Sequence, residues 1–549
     1  MKRIIAILAS AVLLTNALPL RTSAENIGLY EAENAVLFGT ITTIDNENAS
    51  GGLVVGNLSD SSDKIDFSIT VPTDGIYDLT FCLMGIGGDK TNNIHIDGNF
   101  IGDLKSTGDT LSEYTLHSIA LTKGEHTVSI TSSWGWIQVD YLEISTADSI
   151  PESVYEVDNT LINPNATDNA KSLFNYLCSS YGKTTLAGQV CNDGLKGEEF
   201  QAIYEETGKY PALLGLDMMN YSTSRTAHGA ESNAVETAID FHNAGGIITF
   251  CWHWNAPEKY ILPDTEGENP NWWGAFYTDK TNLDLAAVMN GDDPEGLALL
   301  DADIAVIAEQ MHRLEDAGVP VLWRPLHESG GGWFWWSAAG NDAYKKFWVY
   351  LYEQLTNVHR CNNLIWIWNG DSADWYPGDE YVDIIGLDIY TNPQQYTANA
   401  SKFSDILKIP AENKIIAMTE NGVIFDVDDM LATNAKWSWF GTWVGEYVVK
   451  DGVYNETYTE KEILKKAYDS EYVITLDELP KLYESTAVKG DVNADGVFSV
   501  ADVVLLQKWL LAVPDVTLAD WKAGDLCEDN ALNVFDLCLM KRLLVAESS

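Results

Sequence analysis

Hydrophobic and polar positions change their rhythm three times along the chain. Between residues 25 and 146 the period is two. KIDFSITVP alternates Ile65, Phe67, Ile69 and Val71, and NNIHI, HTVSI and WIQVDYLEI alternate in the same way between Gly, Asp and Asn turns. Short strands with one apolar face predict a β-sandwich. Residues 147–164 carry no such rhythm and read as a polar linker. From 165 to 486 near-continuous apolar runs appear: TLAGQ, ALLGLD, IITFCWHW, VLWRPLHE, LIWIWNG, VDIIGLDIY and IIAMTEN. Helical candidates separate them, such as ADIAVIAEQMHRLEDAG with its Gly stop. Strands apolar on both faces and separated by helices predict a parallel sheet, and about 320 residues of this pattern predict a (β/α)₈ barrel. In the last stretch, 487–549, two apolar helix candidates, VVLLQKWLL and LCLMKRLLV, each follow an acidic loop.

The chain therefore reads as multidomain, in line with the three or four domains its 549 residues suggest. Its start adds a processing signal. MKR, the apolar run IIAILASAVLL and Thr22-Ser23-Ala24 have the order of a secretory leader cleaved after Ala24. That predicts a secreted, extracellular protein. The apolar run is too short to span a bilayer, and no later run reaches about 18 apolar residues. Acidic residues outnumber basic ones 81 to 33, a net charge of −48. Nucleic acid and anionic membranes need basic surface, so neither is an expected partner. Seven scattered cysteines show no CxxC, and buried free thiols are the expectation. Nineteen Trp and 25 Tyr suit both sugar contacts and a large core.

Barrel chemistry sits where strands end and the following loops begin. The ends of the apolar runs carry Asp217, His253-Trp254, His327-Glu328, Asn369, Asp388 with Tyr390, and Glu420. Any one of these, Asp217 or Asn369 above all, is also explained as a helix cap. Six in one domain point to a pocket. HEXXH, CxxC, GxSxG, a P-loop and a GxGxxG before a helix are all absent from this domain, which leaves no motif for a catalytic cofactor. Two glutamates, a neutral ligand surface and many aromatics suggest glycoside hydrolysis, which needs one protonated and one ionised carboxylate.

WRPLHES with GGGWFWW, then WYPGDEYVDIIGLDIY, then MTENG resembles glycoside hydrolase family 26, best known for endo-β-1,4-mannanases; CWHWNAP resembles an earlier motif of that family. The resemblance covers nearly all of 165–486. It implies a retaining enzyme acting on mannan, with Glu328 as acid/base and Glu420, 92 residues on, as nucleophile. The family also holds β-1,3-xylanases and mixed-linkage glucanases, so the polysaccharide stays open. A barrel that binds without hydrolysing is a further reading, opposed by retention of both glutamates. His253 and His327 are expected to bond a carboxylate or the sugar. Tyr390 is expected to donate to the nucleophile, and Arg324 to stand near it as a cation. The matching family residue gives Trp333 to the sugar. Trp254, Trp336 and Trp443 suit either sugar contact or core packing, and so do Phe334 and Trp335.

Two further resemblances flank the barrel. Tyr30-Glu31-Ala32-Glu33 and Asp140-Tyr141 resemble family 35 carbohydrate-binding modules, which implies structural calcium at Glu31, Glu33 and Asp140. Trp134 and Trp136, in an SSWGW loop, suit a sugar platform or the core. The loop Asp491, Asn493, Asp495, Ser499, Asp502 recurs 34 residues later as Asp525, Asp529, Asn533, Asp536. Two such loops, each followed by a helix, resemble a type I dockerin. That implies calcium in each loop and a cohesin of a cellulosomal scaffold as partner. Cys527 and Asn530 depart from the pattern in the second loop, which weakens the case for calcium there.

Overall fold

The computed structural model describes residues 24–547 apart from 57, 265–269, 484–487, 515, 528 and 530. Of the segment read as a secretory leader, only Ala24 falls among them. No helix among the described residues is long and apolar enough to cross a membrane.

The N-terminal strands are β1 (Asn26–Glu31), β2 (Val36–Phe38), β3 (Thr42–Asp45), β4 (Leu53–Gly56), β5 (Lys64–Val71), β6 (Gly75–Gly85), β7 (Lys90–Ile96), β8 (Asn99–Ser106), β9 (Ser112–Leu121), β10 (Gly124–Thr131) and β11 (Ile137–Thr146). They form two sheets. One runs β3-β4-β11-β6-β9 with β1 also against β11, and the other runs β2-β5-β10-β7-β8. The alternation in β5 has its expected cause: Ile65, Phe67, Ile69 and Val71 are all buried in the core, together with Leu79, Phe81 and Leu83 of β6. Period two aims one face of each sheet inward, and two such faces make a sandwich.

Part of the stretch read as a linker is held against the next domain. Leu161 and Asn163 are buried, the Ile162 N–H donates to Asp383 at 2.9 Å, and the Tyr155 hydroxyl donates to the Asn434 carbonyl. Backbone donors had partners there, so the segment did not stay free.

Beyond it lie β12 (Thr185–Val190), β13 (Leu213–Asp217), β14 (Ile247–Cys251), β15 (Val321–Arg324), β16 (Leu364–Asn369), β17 (Ile384–Ile389), β18 (Ile415–Asn421) and β19 (Trp439–Thr442). Neighbours pair in this order, all parallel, and β12 pairs with both β13 and β19, which closes an eight-stranded barrel. Every residue of β12, β14, β16 and β18 is buried, as strands sandwiched between barrel interior and outer helices require. The long helix Pro294–Asp316 begins with Asp293 capping and Pro294 in its first turn, and Gly318 follows its end with φ of 76°. The eighth strand, WFGT, was not among the seven apolar runs; it is four residues long and follows a polar stretch.

The C-terminal segment pairs helices Val500–Leu510 and Val534–Glu547 around Val492, Val503, Leu506, Leu537 and Met540. All seven cysteines are free. Cys82, Cys191, Cys251 and Cys361 are buried as expected; Cys178 is partly exposed, and Cys527 and Cys538 are exposed.

Candidate active site

Glu328 and Glu420 meet at the C-terminal mouth of the barrel. One oxygen of each, together with one from Asp388, lies within 4.8 Å of the others. Glu420 belongs to β18 and Asp388 to β17. Glu328 does not end a strand as expected. β15 stops at Arg324, and the chain then turns through Leu326 (φ 48°) and Glu328 (φ 55°). Left-handed backbone at non-glycine residues is strained, and such strain gathers at functional sites. Asn369 holds the turn at two points. The Glu328 N–H donates to Asn369 Oδ1 at 2.7 Å, and the Ser329 N–H donates to the Asn369 carbonyl at 3.1 Å.

The two glutamates have opposite surroundings. Both oxygens of Glu420 accept from donors: Arg324 Nη2 on one, the Tyr390 hydroxyl at 2.6 Å on the other. Burial, and then the charge of Glu420, push the Tyr390 phenol far up, so it remains a donor. Among the described residues Glu328 receives one side-chain donor, Trp333 Nε1 at 2.5 Å. Burial, followed by the charge of Glu420, raises its pKa above the usual glutamate value. One carboxylate is thus held by donors and the other is prepared to carry a proton.

Arg324 also reaches Asp388, Nη1 to Oδ2 at 2.7 Å. Asp388 accepts further from Asn369 Nδ2 at 2.8 Å and Thr419 Oγ1 at 2.7 Å. Its pKa is raised, first by burial and then by Glu420 and Glu328, against the pull of Arg324. Arg324 is itself buried and spends its fork on these two carboxylates. It stands beside Glu420 as a cation. His327 is likewise buried; its Nε2 faces His253 Nε2 at 3.3 Å, so it backs the pocket wall. His253 donates through Nδ1 to Asp217 Oδ2 at 2.7 Å and packs beside Phe276, Phe334 and Trp443.

The tryptophans divide sharply. Trp254, a sugar candidate, is fully buried. Its ring stacks on Trp252 with centroids 3.8 Å apart, and its Nε1 donates to Asp303 at 2.8 Å. It supports the wall and has no face left for a ligand. Phe334, Trp335 and Trp336 are buried too. Trp333 is 49% exposed. Gly331 makes its position possible, since a Cβ there would lie 2.2 Å from the Trp333 ring. Trp443 is half-buried at the end of β19. Tyr277 was not expected. It arrives on the loop after β14, stacks on Phe334 and is 42% exposed. A loop residue has no strand-end position to reveal it. Asn369 and Asp217 were visible as strand ends, but their partners were not.

In the N-terminal sandwich, Trp134 and Trp136 are 67% and 52% exposed, which removes the core reading. Buried Asn92 accepts from the N–H groups of Ser133 and Gly135 and so fixes their loop. Glu31, Glu33 and Asp140 gather around Ser50-Gly51. Ser50 Oγ donates to Glu31 at 2.6 Å, the Ser50 N–H donates to Asp140 at 3.1 Å, and a Cβ on Gly51 would lie 2.4 Å from Glu33 Oε1. Glu33 Oε2 is buried with no hydrogen-bond partner among the described residues. An orphaned carboxylate oxygen beside two other carboxylates fits a hard cation.

The two C-terminal loops repeat one frame. The N–H groups of Asn493 and Ser499 donate to Asp502, and those of Cys527 and Asn533 donate to Asp536. The Asp495 N–H donates to Asp491 and the Asp529 N–H to Asp525. Oxygens of Asp491, Asp495 and Asp502 lie within 4.8 Å of one another, which fits calcium; the second loop instead groups Asp525, Cys527 and Asp536, two hard ligands and a soft one. Ser499 Oγ is engaged in capping the helix that follows.

Three family models match successive segments: carbohydrate binding module (family 35) over residues 28–147, glycosyl hydrolase family 26 over 162–478, and dockerin type I domain over 489–545. A mannan endo-1,4-beta-mannosidase of Thermothelomyces thermophilus is 39% identical over 466 residues, 85% of this chain and 93% of that protein. Mannan endo-1,4-beta-mannosidase B of Piromyces sp. is 34% identical, covering 82% of this chain and 77% of that protein. Among solved structures, a Podospora anserina GH26-CBM35 beta-(1,4)-mannanase aligns with TM-score 0.58 and 38% identity, covering 83% of this chain and 99% of the other. A ruminal GH26 endo-beta-1,4-mannanase aligns with TM-score 0.58 and 31% identity, over 80% and 99% of the two chains.

Proposed function

The chain belongs to glycosyl hydrolase family 26, and on that premise we propose that it is a secreted, retaining endo-β-1,4-mannanase carried on a cellulosomal scaffold. The observation that carries the reading is the pairing of Glu328 and Glu420 in opposite surroundings within 4.8 Å of one another. Retaining glycosidases hold their two carboxyl groups about 5–5.5 Å apart, whereas inverting ones leave room for water at about 6.5–9.5 Å. The close approach supports retention.

The chemistry follows from the donors. Glu420, held by Arg324 and Tyr390, attacks the anomeric carbon. The glycosidic C–O bond breaks as Glu328 passes its proton to the leaving oxygen. A glycosyl ester on Glu420 then removes the negative charge that, after burial, raised the Glu328 pKa. Glu328 takes a proton from water, the water oxygen attacks the same carbon, and Glu420 leaves as carboxylate. Trp333 orients Glu328 and offers a ring face to sugar at the mouth. The reading predicts hydrolysis of linear mannan with little action on xylan or lichenan, measured as reducing ends released by the purified protein. Preference for xylan or lichenan would reassign the substrate, and no hydrolysis of any would sink the enzymatic reading.

In the same reading, Glu31, Glu33 and Asp140 hold a structural calcium, and Trp134 and Trp136 stack on polysaccharide. Asp491, Asn493, Asp495 and Asp502 hold calcium in the dockerin, whose partner is a cohesin. Excess chelator should release the protein from an immobilised cohesin and added calcium should restore binding. Retention in excess chelator would defeat the calcium-dependent docking.

A further inference from the structure

His253 and His327 face each other through their Nε2 atoms, 3.3 Å apart. Only one of these nitrogens can carry the proton between them. Asp217, the last residue of β13, bears on which one does. Its Oδ2 accepts from His253 Nδ1 at 2.7 Å, and its Oδ1 accepts from the N–H groups of His253 at 3.1 Å and Met219 at 2.8 Å. Adjacent strands β13, β14 and β15, or the turns that extend them, thus supply one member each of a chain Asp217–His253–His327. Cys251 Sγ, 4.0 Å from the same Nδ1, is no competitor; burial pushes its thiol far up and keeps it neutral.

We propose that Asp217 is a positioning residue for the hydrolysis: it orients His253, and through it His327, and so fixes one proton direction in the pocket wall beside Glu328 and Glu420. The proposal rests on the glycosidase reading above. The groups facing His253 are Asp217, Cys251, Arg324, His327, Glu328 and Glu420, with the apolar rings of Phe276, Phe334 and Trp443. Burial opposes a charge on His253, but Asp217 first and Glu420 second outweigh it and raise its pKa. His327 goes the other way, lowered by burial and then by His253 and Arg324. Of the two rings, His253 is the one whose surroundings favour the charge, which has it donate through Nε2. Its charge opposes the rise of the Glu328 pKa. The chain thereby limits how tightly the acid/base holds its proton.

The test uses the full-length protein with D217N and D217E. In D217N the charge on His253 is lost at neutral pH. Turnover on mannan should fall about 10- to 100-fold. The alkaline limb of kcat/KM should move to higher pH, because a charge that lowered the Glu328 pKa is gone. A purely structural role would lower the rate without moving the limb. D217E should return the limb toward its original place. ¹⁵N-histidine spectra, with His253 assigned by its loss in H253Q, should show it doubly protonated at pH 7 in the parent and neutral in D217N. An unmoved limb in D217N, or a neutral His253 in the parent, overturns the proposal; the parent spectrum decides if D217N fails to fold. A parent inactive on every polysaccharide overturns the glycosidase reading, whereas an active parent with an unmoved limb overturns only this proposal.

Discussion

Replacing Glu420 with alanine is expected to reduce mannan hydrolysis by at least about 10⁴-fold, the scale seen when a nucleophile that acts as part of a unit is removed. The fold should survive. Arg324 keeps its 2.7 Å contact with Asp388, so the cation is not left unpaired in the barrel. Tyr390 loses the acceptor for its hydroxyl, but at 42% exposed it can turn that hydroxyl to water. Circular dichroism should therefore match the parent while activity disappears. A variant working at near the parent rate would show that the nucleophile lies elsewhere.

Replacing Glu328 with alanine should have a different signature. Hydrolysis of mannan, whose leaving alcohol needs a proton, should fall about 10²- to 10⁴-fold. An aryl mannoside with a phenolate good enough to depart unaided still permits attack by Glu420. The second step lacks its base, so a glycosyl ester should build up on Glu420 and appear as added mass. In the parent the rate should fall as pH rises through the Glu328 pKa, because only the protonated acid donates. That pKa is raised by burial and Glu420, so the fall lies above the ordinary glutamate range. The variant, assayed on the aryl substrate, should lose that limb. Full activity on mannan, or no ester on the aryl substrate, would remove Glu328 from the acid/base role.

The histidines and tryptophans show how far reading the chain reaches. His253 and Trp254 are neighbours in one stretch with no regular period, so nothing local told them apart. One faces Asp217 and the pocket; the other is sealed against Trp252 and Asp303. Among the four consecutive aromatics from Trp333 to Trp336, only Trp333 reaches the surface. The turn that lifts it depends on Gly331 and on Thr278, whose N–H donates to the Trp333 carbonyl at 2.7 Å from a loop more than fifty residues earlier. Arg324 was expected to stand as a cation near Glu420, 96 residues on in sequence. Its partners come from β17 and β18, which only closure of the barrel brings near.

The sequence by itself determined what local pattern and residue chemistry can determine. Period two built the sandwich, apolar runs between helices built the barrel, and a repeated acidic frame marked the two C-terminal loops. Polar residues at the ends of apolar runs marked Glu328 and Glu420 as candidates before any distance was known. Tertiary structure alone decided which carboxylate is held by donors and which takes a proton, because burial and neighbouring charge are properties of packed surroundings. It also decided which aromatic rings face outward. Those choices depend on contacts between residues far apart in the chain, and hydrophobic periodicity carries no record of such contacts.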